Sequence, residues 1–207
     1  MTKNYPHIGR KEEELNAEFW EKRYRTGETG WDQGEPSPGL LDFFSEETYK
    51  PGFILVPGCG RGHDALALAK AGYKVVGVDI STTALEEARR LAQADGLQIQ
   101  FEQADFFNLP DSLRGPYDSI FEHTFFCAID PAHRDRYVET VAGLLKKNGL
   151  LIGVFFNIQP ETGPPFGTTR EELLDRFRPF FRLVFERVPP SLPDREGQEL
   201  LMFWQKK

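Results

Sequence analysis

The sequence predicts an α/β fold: a doubly wound, mostly parallel sheet of seven strands with one antiparallel edge strand. Three observations predict it. After Gly52, short apolar runs alternate with helix-length stretches, the pattern of β-α units. A strand-like run enters a glycine-rich turn and then a helix, as at the ligand end of open α/β sheets. The last two apolar runs are joined by a Pro-rich turn with no room for a helix, so they must pair antiparallel.

The elements follow in order. From Lys11 to Tyr24 the residues Leu15, Phe19, Trp20 and Tyr24 recur at helical spacing, while Glu18/Lys22 and Glu21/Arg25 form i,i+4 pairs on the other side. This is an amphipathic helix ending near Gly27. The segment TGETGWDQGEPSPG (26–39) is a loop that strands Trp31, and Ser37 and Pro38 serve as N-cap and N1 of a short helix toward Tyr49. Strand FILVP (53–57), a helix over 62–71, strand KVVGVDI (74–80), a helix from Ser81 to Ala94 and strands QIQFEQ (98–103) and YDSIFEH (117–123) come next. Asp130 and Pro131 open a helix to Lys147, which Gly149 closes before the buried strand LLIGVFF (150–156). After the loop NIQPETGPPFG (157–167), Thr169 and Glu172 make a capping box for a helix ending near Arg178. Strands FRLVFERV (181–188) and ELLMFWQ (199–205) complete the chain as one domain over 1–207, with 1–50 as a helical lid segment and 51–207 as the core.

Composition narrows the function classes. With 32 acidic against 25 basic residues and a net charge of -7, no sequence-wide field draws in a phosphate backbone, so nucleic acid is not an expected partner. The start, MTKNYPHIGRKEEE, lacks a signal-peptide core, and no apolar run reaches membrane-spanning length. The expectation is a cytoplasmic protein without membrane contact, a monomer or weak homo-oligomer. Cys59 and Cys127 have no Cys or His cluster beside them, so both read as reduced thiols and no metal is expected.

The run LVPGCGRGHD carries the chemistry. Gly58-Cys59-Gly60-Arg61-Gly62 lets the backbone turn tightly and approach a ligand. A dinucleotide fingerprint places its third glycine three residues after the second; here Gly62 follows Gly60 by two, which favours S-adenosylmethionine over NAD. Asp79 ends the next strand 21 residues after Gly58, near the ~20 expected of a carboxylate that takes ribose hydroxyls. Asp105 and Phe106, beyond the third strand, suit an adenine amino group and base face. Each residue also has a plain structural use, as turn or cap; together they describe an adenosine.

The runs FWEKRYRTGETGWDQG, LVPGCGRGHDALALA, VVGVDIS, QADFF, FEHTFFCAIDP and GPPF span nearly the whole chain. In them the sequence resembles the thiol and halide methyltransferases of the thiopurine S-methyltransferase family, especially the plant type. The resemblance implies a Rossmann-like class I methyltransferase fold and S-adenosylmethionine held by Trp20, Trp31, Gly58, Cys59, Gly60, Asp79, Ile80, Asp105, Phe106 and Glu122. It also implies a small-molecule acceptor, a soft sulfur, selenium or halide nucleophile, in a pocket shaped by Tyr24, Phe126 and Phe156. Tyr24, His123 and Phe156 stand where plant-type members carry Trp, Tyr and Tyr, and Val56 where many such enzymes carry an acid, so acceptor identity stays open. An O- or N-methyltransferase of a small metabolite and a non-catalytic cofactor-binding protein are the alternatives.

Methyl transfer to a soft nucleophile needs in-line placement more than acid or base help. For a thiol, mostly un-ionised at neutral pH, a base would help. His123, at a strand end facing the ligand crevice, is the candidate in preference to His7, His63 or His133.

Overall fold

A computed structural model describes residues 15–44, 50–160 and 162–207. The start of the first expected helix, the end of the second, and His7 lie outside the described residues. Helix α1 (Ala17–Thr26) is capped by the Asn16 side chain, which accepts from Phe19 N–H, and stops at Gly27 in a left-handed conformation. Helix α2 (Pro38–Phe43) begins at Pro38, although the Ser37 side chain makes no cap bond.

The core elements are β1 (Phe53–Pro57), α3 (His63–Lys70), β2 (Lys74–Asp79), α4 (Thr82–Ala94), β3 (Gln100–Gln103), β4 (Tyr117–His123), α5 (Arg134–Leu144), β5 (Leu145–Phe156), α6 (Arg170–Phe177), β6 (Phe181–Arg187) and β7 (Glu199–Lys206). They form one seven-stranded sheet in the order β3-β2-β1-β4-β5-β7-β6. The antiparallel strand is β7; it pairs antiparallel with both β5 and β6, so β6 forms the rim outside it. Alternation divides the core. Leu55 faces a layer with Tyr137, Val138, Leu173 and Phe177 of α5 and α6. Ile54 and Val56 face Leu40, Leu66, Leu85 and Ala88 of α2, α3 and α4. The sheet is therefore covered on both sides, as a parallel sheet must be.

Two boundaries differ from expectation. Helix α5 stops at Leu144 rather than Lys147, because Leu145 is already paired with Tyr117 in the parallel ladder. Gly149 is then not a helix cap: it lies in β5 within the register shift between β4 and β5, where a Cβ would lie 2.9 Å from the Lys146 carbonyl. Strand β3 begins at Gln100, where its pairing with β2 starts.

The chain runs outward from β1 through β2 to β3, then returns to β4 on the other side of β1. That reversal leaves a crevice above the carboxyl ends of β1 and β4. No helix among the described residues is long and apolar enough to cross a membrane.

Candidate active site

The crevice opens into a cleft of about 2410 Å³. A single small-ligand pocket takes ~300–1,000 Å³, so this open cleft exceeds what one small ligand fills. Its floor is the turn after β1, where Gly58, Gly60 and Gly62 have φ of +58°, +53° and +81°, values that disfavour any Cβ. A Cβ on Gly58 would come within 2.3 Å of the Phe125 ring, and one on Gly60 within 2.8 Å of the Tyr24 hydroxyl. Cys59 N–H donates to the Val78 carbonyl at 3.0 Å, which ties the turn to β2.

Asp79 faces this turn. Its Oδ2 accepts from Gly60 N–H at 2.8 Å and its Oδ1 from Ser81 N–H at 2.9 Å. Burial pushes its carboxyl upward, opposed by those backbone donors. A carboxylate oxygen has two lone pairs, so each keeps acceptor capacity beyond its backbone donor. Ile80 lines the adjoining wall. Asp105 accepts from Phe107 N–H at 2.8 Å and from the Asn108 side-chain amide, and so caps a short 3-10 turn at the cleft edge. Phe106 is nearly buried, edge-to-face with Phe125 at 5.4 Å. A glycine floor, a carboxylate with spare acceptor capacity and an aromatic wall fit an adenosine-bearing cofactor.

The N-terminal segment lines the cleft with Trp20, Tyr24 and Trp31. The Trp31 ring meets Trp20 at 5.5 Å and Tyr24 at 5.7 Å, both near-perpendicular, and its Nε1 donates to the Tyr24 hydroxyl at 3.3 Å. Three polar clasps hold this segment down. Glu21 accepts from the Ser81 and Thr83 hydroxyls at 2.7 and 2.5 Å, joining α1 to the start of α4. Asp32 pairs with Arg61 at 2.5 Å and lies 3.2 Å from His63. Burial opposes that carboxylate, but His63, Gly34 N–H and Arg61 prevail and bring it to about 2. Arg195 donates to the Trp31 carbonyl at 2.8 Å across 164 residues of chain.

His123 stands in the cleft wall, but not as a free base. Its Nδ1 is 3.0 Å from Asp64, and its Nε2 is 3.6 Å from Glu199 and 3.3 Å from the Arg195 guanidinium. Burial disfavours the charged ring, yet Asp64 and Glu199 outweigh it and push His123 up to about 9. Asp64 and Glu199 thus face the two cationic partners, His123 and Arg195, from opposite sides of the ring. Both ring nitrogens of His123 are therefore engaged by neighbouring side chains in the cleft wall.

Two expectations of cleft position are corrected. Glu122 does not reach the cleft: it is 1% exposed, and its Oε1 accepts from Phe125 and Phe126 N–H at 2.9 and 2.7 Å. Side chains alternate along β4, so the residue before His123 points into the core. Phe126 is core as well, packed on Tyr137, Phe155 and Phe177 beneath the Arg134 guanidinium. Its neighbour Phe125 lines the cleft instead, as do Tyr24 and Phe156, the last under Arg195 at 4.9 Å. Arg195, Glu199, Asp32 and Arg61 were not singled out from sequence, because isolated charges in loops and strand ends carry no periodic signal.

Glu122 has a measurable signature. Burial raises it from 4.5 to about 7, while its backbone donors and His123 oppose the rise. A carboxyl raised on folding contributes stability that is full below its unfolded value and is lost as pH rises through the folded one. The Glu122→Gln variant should therefore gain ~3 kcal/mol relative to the parent between pH 4.5 and 7, level above that. Urea melts across this range check it; parallel curves would refute the burial argument.

Among the described residues no three His, Cys, Asp or Glu side chains gather as a metal-binding group. Both cysteines are free thiols.

Residues 15–189 match the family model described as thiopurine S-methyltransferase. The chain is 36% identical over 193 residues to thiocyanate methyltransferase 1 of Brassica oleracea, covering 90% of this chain and 84% of that protein. It is 30% identical over 178 residues to a thiopurine S-methyltransferase of Bordetella petrii, covering 77% and 80%. Among solved structures, the 1,6-didemethyltoxoflavin-N1-methyltransferase of Burkholderia thailandensis, crystallised with 1,6-didemethyltoxoflavin and S-adenosylhomocysteine, shares the fold. That match has a TM-score of 0.73 at 21% identity, covering 92% and 87%. The glycine turn, the carboxylate facing it and these matches together make the chain a member of the thiopurine S-methyltransferase family of S-adenosylmethionine-dependent methyltransferases.

Proposed function

We propose that this methyltransferase acts on a small, soft nucleophile: thiocyanate, hydrosulfide, a low-molecular thiol, a halide, or a selenium or tellurium species. The observation that carries the reading is the engagement of His123 by Asp64 and Glu199. With both ring nitrogens engaged, the cleft favours, among these, an acceptor that is already anionic, a thiol entering as its thiolate. The names of the relatives, which specify thiocyanate and thiopurine acceptors, agree with it.

In this reading the backbone of Gly58, Cys59 and Gly60 cradles the cofactor and Asp79 takes its ribose hydroxyls. Ile80 and Phe106 flank the base and Asp105 takes its amino group. S-adenosylmethionine supplies a methyl on a sulfonium, already activated for displacement. Trp20 and Trp31 close over the cleft; aromatic faces favour a cation by ~0.5–2 kcal/mol each and exclude water. Tyr24, Phe125 and Phe156 shape the acceptor side, and their rings exclude water from it.

The test is S-adenosylhomocysteine release with hydrosulfide, thiocyanate, iodide, a thiopurine and glutathione in parallel. Turnover is expected with at least one small soft acceptor and not with bulky glutathione, at a rate flat between pH 6 and 8 for thiocyanate or iodide. Turnover confined to hydroxyl or amine acceptors would overturn the reading.

A further inference from the structure

Asp64 occupies the first turn of α3, where an acid ordinarily interacts with its own helix end. Here the helix N-cap is Gly62, with no side-chain cap bond, and both oxygens of Asp64 serve other elements. Its Oδ1 accepts from Ser37 N–H at 2.7 Å, where the lid loop passes into α2. Its Oδ2 is the 3.0 Å partner of His123 Nδ1, at the end of β4. One carboxylate thus joins the lid exit, the helix that follows the glycine turn and the acceptor wall.

We propose that Asp64 is a positioning residue of the transfer reaction, fixing the His123 ring and the end of the lid loop from a single point. The proposal rests on the soft-nucleophile reading of the acceptor site. The groups facing His123 are Asp64 from α3, Glu199 from β7 and Arg195 from the turn before β7, with Glu122 its neighbour on β4. Without the Asp64 charge, Glu199 alone serves both His123 and Arg195. A neutral ring then accepts from Arg195, and the wall loses the partner that sets its orientation.

Two substitutions separate the two functions. Asp64→Asn keeps an oxygen for Ser37 N–H but removes the charge beside His123; Asp64→Ala removes both. In Asp64→Asn the His123 ring resonance should titrate at least ~1 pH unit lower than in the parent. The KM for thiocyanate at pH 8 should rise ~10-fold while S-adenosylhomocysteine affinity, by calorimetry, stays within ~3-fold. Asp64→Ala should in addition weaken S-adenosylhomocysteine by ~5- to 10-fold, because the loop before α2 loses its charged hydrogen-bond partner at Ser37 N–H. An unmoved His123 titration, or identical behaviour of the two variants, would overturn the proposal. If the parent turns over no soft anion, the acceptor reading fails, while the ring titration and calorimetry still decide the place of Asp64.

Discussion

Replacing Asp79 with alanine is expected to weaken S-adenosylhomocysteine binding by ~100-fold or more, the largest loss of affinity from any single change at this site. The side chain does two things. It accepts from Gly60 and Ser81 N–H, which holds the glycine turn against the end of β2, and it leaves acceptor capacity for a ribose diol. Hydrogen bonds to a charged group contribute ~1.5–3 kcal/mol each, so two lost at once amount to ~100-fold or more. Asp79→Asn keeps one acceptor oxygen and should lose less, ~10-fold, since an amide can still take one of the backbone donors or one hydroxyl. Calorimetry with S-adenosylhomocysteine measures both, with thermal melts run beside it to show that the variants fold. Affinity within ~3-fold of the parent in Asp79→Ala would remove the carboxylate from the cofactor site and with it the adenosine reading of the cleft.

Asp79 and the glycines were legible in the sequence because their signal is local. A buried strand, a turn that only glycine tolerates and a helix start follow one another within a dozen residues, and the second strand ends at a fixed distance beyond. Trp31 was legible for a related reason: a large ring in a Gly/Pro loop has no periodic place in a core. The wall around His123 was not, because it is assembled from α3, β4, the turn before β7 and β7 itself, and nothing in one sequence says which isolated charges meet. Glu122 and Phe126 show a subtler limit. At a strand end the two faces alternate, and of two adjacent phenylalanines in a tight turn one faces the cleft and the other the core. A one-residue ambiguity of that kind sends a side chain to the opposite face. The same competition between local and tertiary terms set the end of α5, where pairing of Leu145 with Tyr117 stopped a helix that propensity alone would continue.

The largest loss of stability is expected at Arg134, the first residue of α5. Its guanidinium is 1% exposed and meets both oxygens of Glu172 at 3.0 Å, the Gly167 carbonyl at 2.8 Å and the Phe166 carbonyl at 3.4 Å, with its plane 4.7 Å over the Phe126 ring. It therefore fastens α5, α6 and the end of a loop that lines the cleft. Arg134→Met keeps most of the volume but leaves Glu172, itself 4% exposed, with Arg176 as its remaining charged partner at 2.9 Å, and strips two half-buried carbonyls of a donor. Breaking one side of a buried pair typically costs ~3–5 kcal/mol, a third or more of a stability of ~5–15 kcal/mol. At ~2–4 °C per kcal/mol for a chain of this size, the melting temperature should fall by ~6–20 °C. The double variant Arg134→Met with Glu172→Leu should recover part of that loss, because removing both charges together abolishes the uncompensated acid. The orphaned carbonyls of Phe166 and Gly167 remain in either background, so recovery stops short of the parent. A cost below ~1 kcal/mol for the single variant would mean that solvent reaches Glu172 once Arg134 is gone, and that packing of Phe126, Phe155 and Phe177 alone holds the loop in place.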